Sequence, residues 1–138
     1  MNMSAIWERG VSLIFDSDVL IWAFRDNQKA NQFLLDAENI SISAVSYMEL
    51  MQGVLNKQEL LQIKKFLKAF DVLIYDITPE ITHRAMEYVE NYALSDSMEL
   101  ADALIASTAI ENNETLCTAN GKHYKCIPDL QMDLFKVD

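Results

Sequence analysis

Glycine and proline are scarce in this 138-residue chain, at three and two positions, and cysteine and histidine occur twice each. Gly10, Gly53 and Gly121 stand too far apart to form a GxGxxG turn or a P-loop, which excludes nucleotide-binding folds of those types. With glycine and proline falling only where elements end, there is no linker, repeat or low-complexity tract. Cys117 and Cys126 build neither a CxxC pair nor, by themselves, a four-ligand zinc cage. Cys117 lies in an apolar, strand-like segment and reads as a small buried hydrophobe. Nothing calls for an oxidising compartment, so the cytoplasm is the expected location. Long apolar runs are missing too: Val11–Phe15 and Val72–Tyr75 fall far short of a bilayer span. The opening Met1–Gly10 lacks the basic, apolar and small-residue sections of a signal peptide, and reads as a flexible or extended lead-in. Cationic side chains are few as well. Eleven Lys and Arg face 21 Asp and Glu, for a net charge of −10. A field of that sign repels phosphate, so it is better explained by carboxylates gathered around cations or by a basic partner.

What is present describes one folded domain spanning 1–138. Hydrophobic residues make up 51% and mean hydropathy is +0.02, which suits a globule and not a disordered chain. Short apolar runs alternate with longer helical patterns. Strands are predicted at Val11–Phe15, Ile40–Ser43, Val72–Asp76 and Thr115–Thr118. Helices are predicted at Asp18–Phe24, Gln28–Ala37, Val45–Gln52, Gln58–Ala69, from Pro79 to about Tyr92, and at Met98–Glu111. This alternation specifies an α/β fold: a central parallel sheet of four to five short strands with helices on both faces. Chemistry in such folds gathers at the carboxyl ends of the strands.

Three carboxylates stand in those places. Asp16 follows the first strand directly, where an N-cap role competes with a functional one. Asp102 sits in Met98-Glu99-Leu100-Ala101-Asp102-Ala103-Leu104-Ile105-Ala106, an almost wholly apolar helix. With Asp96 as the N-cap and Glu99 completing a capping box, Asp102 lies beyond the first turn and has no capping work. An aspartate among apolar neighbours is costly unless it is paired or metal-bound. Glu49 lies six residues into its helix if Ser43 is the cap; a box from Ser46 to Glu49 is the competing reading. Three carboxylates about 5 Å apart repel by roughly 3 kcal/mol per pair at an effective dielectric of about 20. Such a cluster calls for a cation, and all-oxygen ligation selects Mg²⁺ or Mn²⁺. Zinc is not expected, because both histidines and both cysteines fall elsewhere in the pattern.

Four segments in order, from Leu13 to about Leu130, resemble the PIN domain, particularly VapC-type toxins. Phe15-Asp16-Ser17-Asp18-Val19-Leu20-Ile21 resembles the opening Asp-Thr-Asn-Val-Leu-Ile block. Ile42-Ser43-Ala44-Val45-Ser46-Tyr47-Met48-Glu49-Leu50 resembles the second, and Ala101-Asp102-Ala103-Leu104-Ile105-Ala106 the third. Cys117-Thr118-Ala119-Asn120-Gly121-Lys122-His123-Tyr124 resembles the closing Thr-x-Asn/Asp block. The resemblance implies a metal-dependent endoribonuclease, leaving a 5′-phosphate and a 3′-hydroxyl and neutralised by a cognate antitoxin. It implies Asp16, Glu49 and Asp102 as metal ligands, Asn120 as the fourth site residue, and Asp18 as an outer ligand. Asn120 departs from the four-acid form; a neutral amide weakens a second cation site, and Asn120-Gly121 is also an ordinary turn signal.

The remaining polar residues are assigned by neighbourhood. Thr118 is expected to hydrogen-bond a metal-bound water or a substrate phosphate. Lys122, His123 and Lys125 form the basic run nearest the site; Arg25 and Arg84 are further phosphate candidates. Trp7, Trp22, Tyr88 and Tyr92 read as core. Surplus apolar residues Met51, Val54, Leu55, Leu61 and Phe66 point to an antitoxin groove or a homodimer surface. Two other readings compete. Asp16-Ser17-Asp18 also resembles the paired aspartates of haloacid-dehalogenase-type phosphatases, though Leu20 stands where Thr or Val is expected. Alternatively, the fold serves as a catalytically silent binding module.

Overall fold

The computed structural model describes residues 12–136. The 1–10 lead-in and Trp7 therefore lie outside the described residues, as does Val11. Five strands carry the architecture: β1 (Leu13–Phe15), β2 (Ile40–Ser43), β3 (Leu73–Tyr75), β4 (Thr115–Thr118) and β5 (Met132–Leu134). All neighbours pair in parallel, in the order β3-β2-β1-β4-β5. Between them run α1 (Ser17–Phe24), α2 (Gln28–Asp36), α3 (Ala44–Gln52), α4 (Lys57–Ala69), α5 (Pro79–Asp96) and α6 (Leu100–Glu111). A 3₁₀ turn, Gly121–His123, follows β4.

Helices cover both faces, and the strands divide their side chains between them. Leu13 and Phe15 of β1 pack with Ile40, Ile42 and Cys117 against α1 to α4, while Ile14 and Leu116 face the other way with α5 and α6. Every residue of β1, β2 and β4 is buried, with Ser41, Ser43, Thr115 and Thr118 enclosed among the apolar side chains. Ala103, Ile105, Ala106, Ser107, Thr108 and Ala109 of α6 are buried together, the signature of a helix enclosed on most sides.

Scarce glycine leaves its mark on the helix ends. Asp26, Asp71, Ser97 and Asn113, each just beyond a helix, take φ of 64°, 53°, 56° and 54°. Small polar residues fill the left-handed positions that glycine commonly takes. Gly53 does close α3 as expected, donating to the Glu49 carbonyl at 3.1 Å, but with φ −84°.

The structure corrects several boundaries. Helix α5 does not stop near Tyr92; nothing in Asn91–Ser95 breaks it, and it runs through Asp96. Asp96 is therefore the end of α5 and not the cap of the next helix. Ser97 turns the chain and the Met98 amide returns to the Tyr92 carbonyl at 3.3 Å. Helix α6 then opens at Leu100 with Glu99 as its N-cap. Ser43, not Ser46, caps α3, its hydroxyl accepting from the Val45 amide at 3.0 Å. Trp22, expected in the core, is 38% exposed.

Candidate active site at the carboxyl edge of the sheet

Strand order reverses between β1 and β4, and ligands of open α/β sheets bind at that switch point. Phe15 pairs with Cys117, and the Asp16 amide donates to the Cys117 carbonyl at 2.9 Å. The backbone ladder thus fixes Asp16 beside Thr118.

Asp16 is the hub. It caps α1, one oxygen accepting from the Ser17 amide at 2.8 Å. Its other oxygen accepts from the Thr118 hydroxyl at 2.9 Å and the Tyr124 hydroxyl at 2.8 Å. Capping and clustering, which sequence offered as alternatives, are carried by one carboxylate. Asp18 lies one step outward, with Oδ2 accepting from the Ala119 amide at 3.2 Å and the Asn120 side-chain amide at 2.8 Å. Thr118 also approaches Asp18 at 3.4 Å, but its single proton goes to the nearer Asp16. The hydroxyl accepts from the Asn120 backbone at 3.0 Å. Thr118 and Asn120 therefore brace the aspartates.

Glu49 reaches in from α3, and the Ser17 hydroxyl donates to it at 3.2 Å. Asp102 enters from α6. The expectation that it lacks a capping role was wrong, because α6 starts two residues later than predicted. Asp102 is the third residue of that helix, and its Oδ2 accepts from the Glu99 amide at 3.3 Å. Its other oxygen lies 3.7 Å from His123 Nδ1. His123, placed outside the ligand set by sequence, stands against the cluster. Tyr124 was missed: it is 1% exposed and reads as one more core aromatic, although it lies inside the closing sequence block.

Proton affinities record the crowding. Asp18 is pushed up to about 6, first by burial and then by the charge of Asp16. Glu49 is raised by burial and then by Asp16, with Asp102 adding to it and the Ser17 bond opposing. Asp102 is raised chiefly by burial; the Glu99 amide and His123 oppose the shift, and Asp16 reinforces it. Burial, then Asp16, pushes the Tyr124 phenol up so that it stays a donor. No Lys or Arg among the described residues relieves these charges. The ion pairs found are His123–Asp102 and Arg84–Glu111, the latter at 2.6 Å, which occupies Arg84 away from the site.

As the side chains stand, no group of three or more His, Cys, Asp or Glu among the described residues is arranged to hold a metal ion. The donor chemistry nevertheless suits a hard cation. The acids are oxygen donors that raise one another's proton affinity, and Asp18 Oδ1 is buried without a hydrogen-bond partner.

Comparison with known proteins meets this geometry. The PIN-domain family model matches residues 13–126, and the chain belongs to that family. Its fold is similar to that of a toxin–antitoxin complex chain from Klebsiella pneumoniae, at 28% identity and TM-score 0.71, covering 86% of this chain and 95% of that one. A chain of VapBC2 from Rickettsia felis, bound to a DNA fragment from its promoter, gives 24% identity and TM-score 0.76, covering 91% and 100%. DNA-bound VapBC from Salmonella typhimurium gives 17% and 0.75, covering 89% and 97%. No match is found among curated protein sequences. Membership of the PIN family sets aside the haloacid-dehalogenase reading, and both oxygens of Asp16 are already bonded.

Proposed function

We propose that this chain is a divalent-metal-dependent endoribonuclease, the toxin of a toxin–antitoxin pair acting in the cytoplasm. The observation that carries the reading is the convergence of Asp16, Glu49 and Asp102 from β1, α3 and α6 on one edge, with Asp16 raising both others. These three would hold Mg²⁺ or Mn²⁺, with Asp18 and the Asn120 amide in the outer ring. When bound, the ion supplies charge neutralisation for the phosphate and for the oxygens entering and leaving it.

The chain's own groups have separable tasks. Thr118, Tyr124 and the Ser17 amide hold Asp16 in one orientation, so it need not reorganise during reaction. Glu49, with its raised affinity for protons, is suited to accept one from the attacking water. Water then bonds to phosphorus as the P–O3′ bond breaks, leaving a 5′-phosphate and a 3′-hydroxyl. Lys122 and His123, exposed on the turn after β4, would meet RNA phosphates.

The likeness to chains from toxin–antitoxin complexes supports an antitoxin as partner. A basic side chain entering the acid cluster would block it by charge-assisted hydrogen bonds. A homodimer is also proposed. Met51, Val54 and Phe66 are packed into the core, but Leu55 remains 84% exposed and Leu61 52%. Met86 and Leu100, on α5 and α6, offer a second apolar face.

The test is incubation of total cellular RNA with purified, antitoxin-free protein in Mn²⁺ or Mg²⁺. Discrete products are expected, abolished by EDTA and reduced at least about 100-fold in Asp102→Asn. Metal binding without cleavage would leave the silent binding module as the better account.

A further inference from the structure

The acids of this protein outnumber its cationic residues by 21 to 11, yet half of its eight lysines fall within one helix. Lys57, Lys64, Lys65 and Lys68 are all exposed on α4, and Leu61 lies exposed among them. Buried Ile63 and Leu67 anchor the opposite side of that helix in the core. Spacings of three and four residues place Lys57, Leu61, Lys64, Lys65 and Lys68 along one stripe, about 16 Å from end to end at 1.5 Å per residue. The helix has a single acid, Glu59, which is turned to the helix start and accepts from the Leu55 amide at 3.4 Å. Asp71 borders Lys64 and Lys68 at the far end. None of the four lysines forms an ion pair among the described residues. In a chain with acids to spare, such a stripe is a local reversal of the overall field.

We propose that the outer face of α4 is a binding track for the phosphate backbone of single-stranded RNA. The inference rests on the ribonuclease reading and adds a phosphate-binding surface outside the acid cluster. A single strand lays successive phosphates along one direction, which a linear stripe of flexible ammonium groups matches. Lysine meets phosphate as a point charge and needs no fixed geometry, so contact there is independent of base sequence. Helix α4 follows α3 in the chain and packs on it through the shared core, and α3 carries Glu49. The far end of α4, at Ala69 and Phe70, borders Ser12, Asn39 and Ile40 at the strand starts, so the track runs toward the edge opposite the acids.

The test compares two variants of equal net charge, Lys65→Gln/Lys68→Gln on the stripe and Lys29→Gln/Lys136→Gln outside it. Glutamine keeps the helix propensity of lysine, so both should fold. Binding of a labelled oligouridylate is measured in EDTA, without cleavage, across a range of NaCl concentrations. Each lost phosphate contact reduces the slope of log affinity against log salt by about 0.7 for single strands. The stripe variant should therefore lose about 1.4 from that slope, and the control pair should match the parent. In metal, KM for RNA should rise in the stripe variant at unchanged kcat. Equal slopes in both variants, or no RNA binding by the parent, would overturn the proposal. Poly-L-glutamate is titrated in parallel: its loss from the stripe variant, with RNA binding intact, would overturn it in favour of an acidic protein partner. If the slope changes as expected but the parent never cuts RNA in metal, the track stands and the nuclease assignment fails.

Discussion

At the residue scale, Asp16 draws on donors from three places in the chain: the Ser17 amide, the Thr118 hydroxyl and the Tyr124 hydroxyl. Tyr124→Phe removes one charge-assisted bond without opening a cavity. Urea denaturation should show a loss of about 1.5–3 kcal/mol. No loss would mean the phenol serves only as packing. Asp18 gives a pH signature. Its carboxyl is pushed up to about 6 from an ordinary 3.8, so the folded state binds the proton more tightly than the unfolded one. Its contribution to stability is complete below about pH 4 and is lost as pH rises through about 6. Thermal melts in EDTA should fall by several degrees across that window in the parent, and less in Asp18→Asn. A flat parent profile would refute the crowding. Asp16 was legible in sequence because it directly follows a strand, and Glu49 because it lies deep in a helix among apolar neighbours. The function of Thr118 and Asn120 as braces was not, since their partners lie about a hundred residues away.

At the scale of elements, the central strands were legible as short runs rich in apolar and β-branched residues, even though β2 and β4 enclose Ser41, Ser43, Thr115 and Thr118. Strand β5 had no such signal: Met132-Asp133-Leu134 is three residues at a sheet edge with an aspartate in its middle. The α5–α6 junction misled for a chemical reason. Ser95-Asp96-Ser97 has the composition of an N-cap, but the left-handed Ser97 makes it a helix end. Once Glu99 is the cap, the capping box it forms with Asp102 orients the Asp102 carboxylate from its own helix start. Glu99→Ala should then cost about 1 kcal/mol of stability. It should also slow cleavage more than a cap at a remote helix would. Asn27→Ala, which removes the cap of α2, is the comparison: equal effects on rate would show that the box does no more than hold the helix.

At the scale of the whole molecule, the net charge of −10 and the unrelieved acids at one edge lead us to expect stabilisation by divalent cations. Mn²⁺ at a hundred times its dissociation constant should stabilise the metal-free protein by about 2.7 kcal/mol, seen as a rise in Tm. The rise should vanish in Asp16→Asn; its persistence there would place the cation elsewhere. The parallel order β3-β2-β1-β4-β5 has a consequence for synthesis. Asp16 is among the first described residues to be made, but its partners Thr118 and Tyr124 come 102 and 108 positions later. Pairing over such separations is slow to form, and strand β1 has no β4 to lie against until most of the chain has left the ribosome. The braced acid cluster is thus among the last features to form. On the proposed ribonuclease reading, a growing chain would lack its assembled site until synthesis is nearly complete.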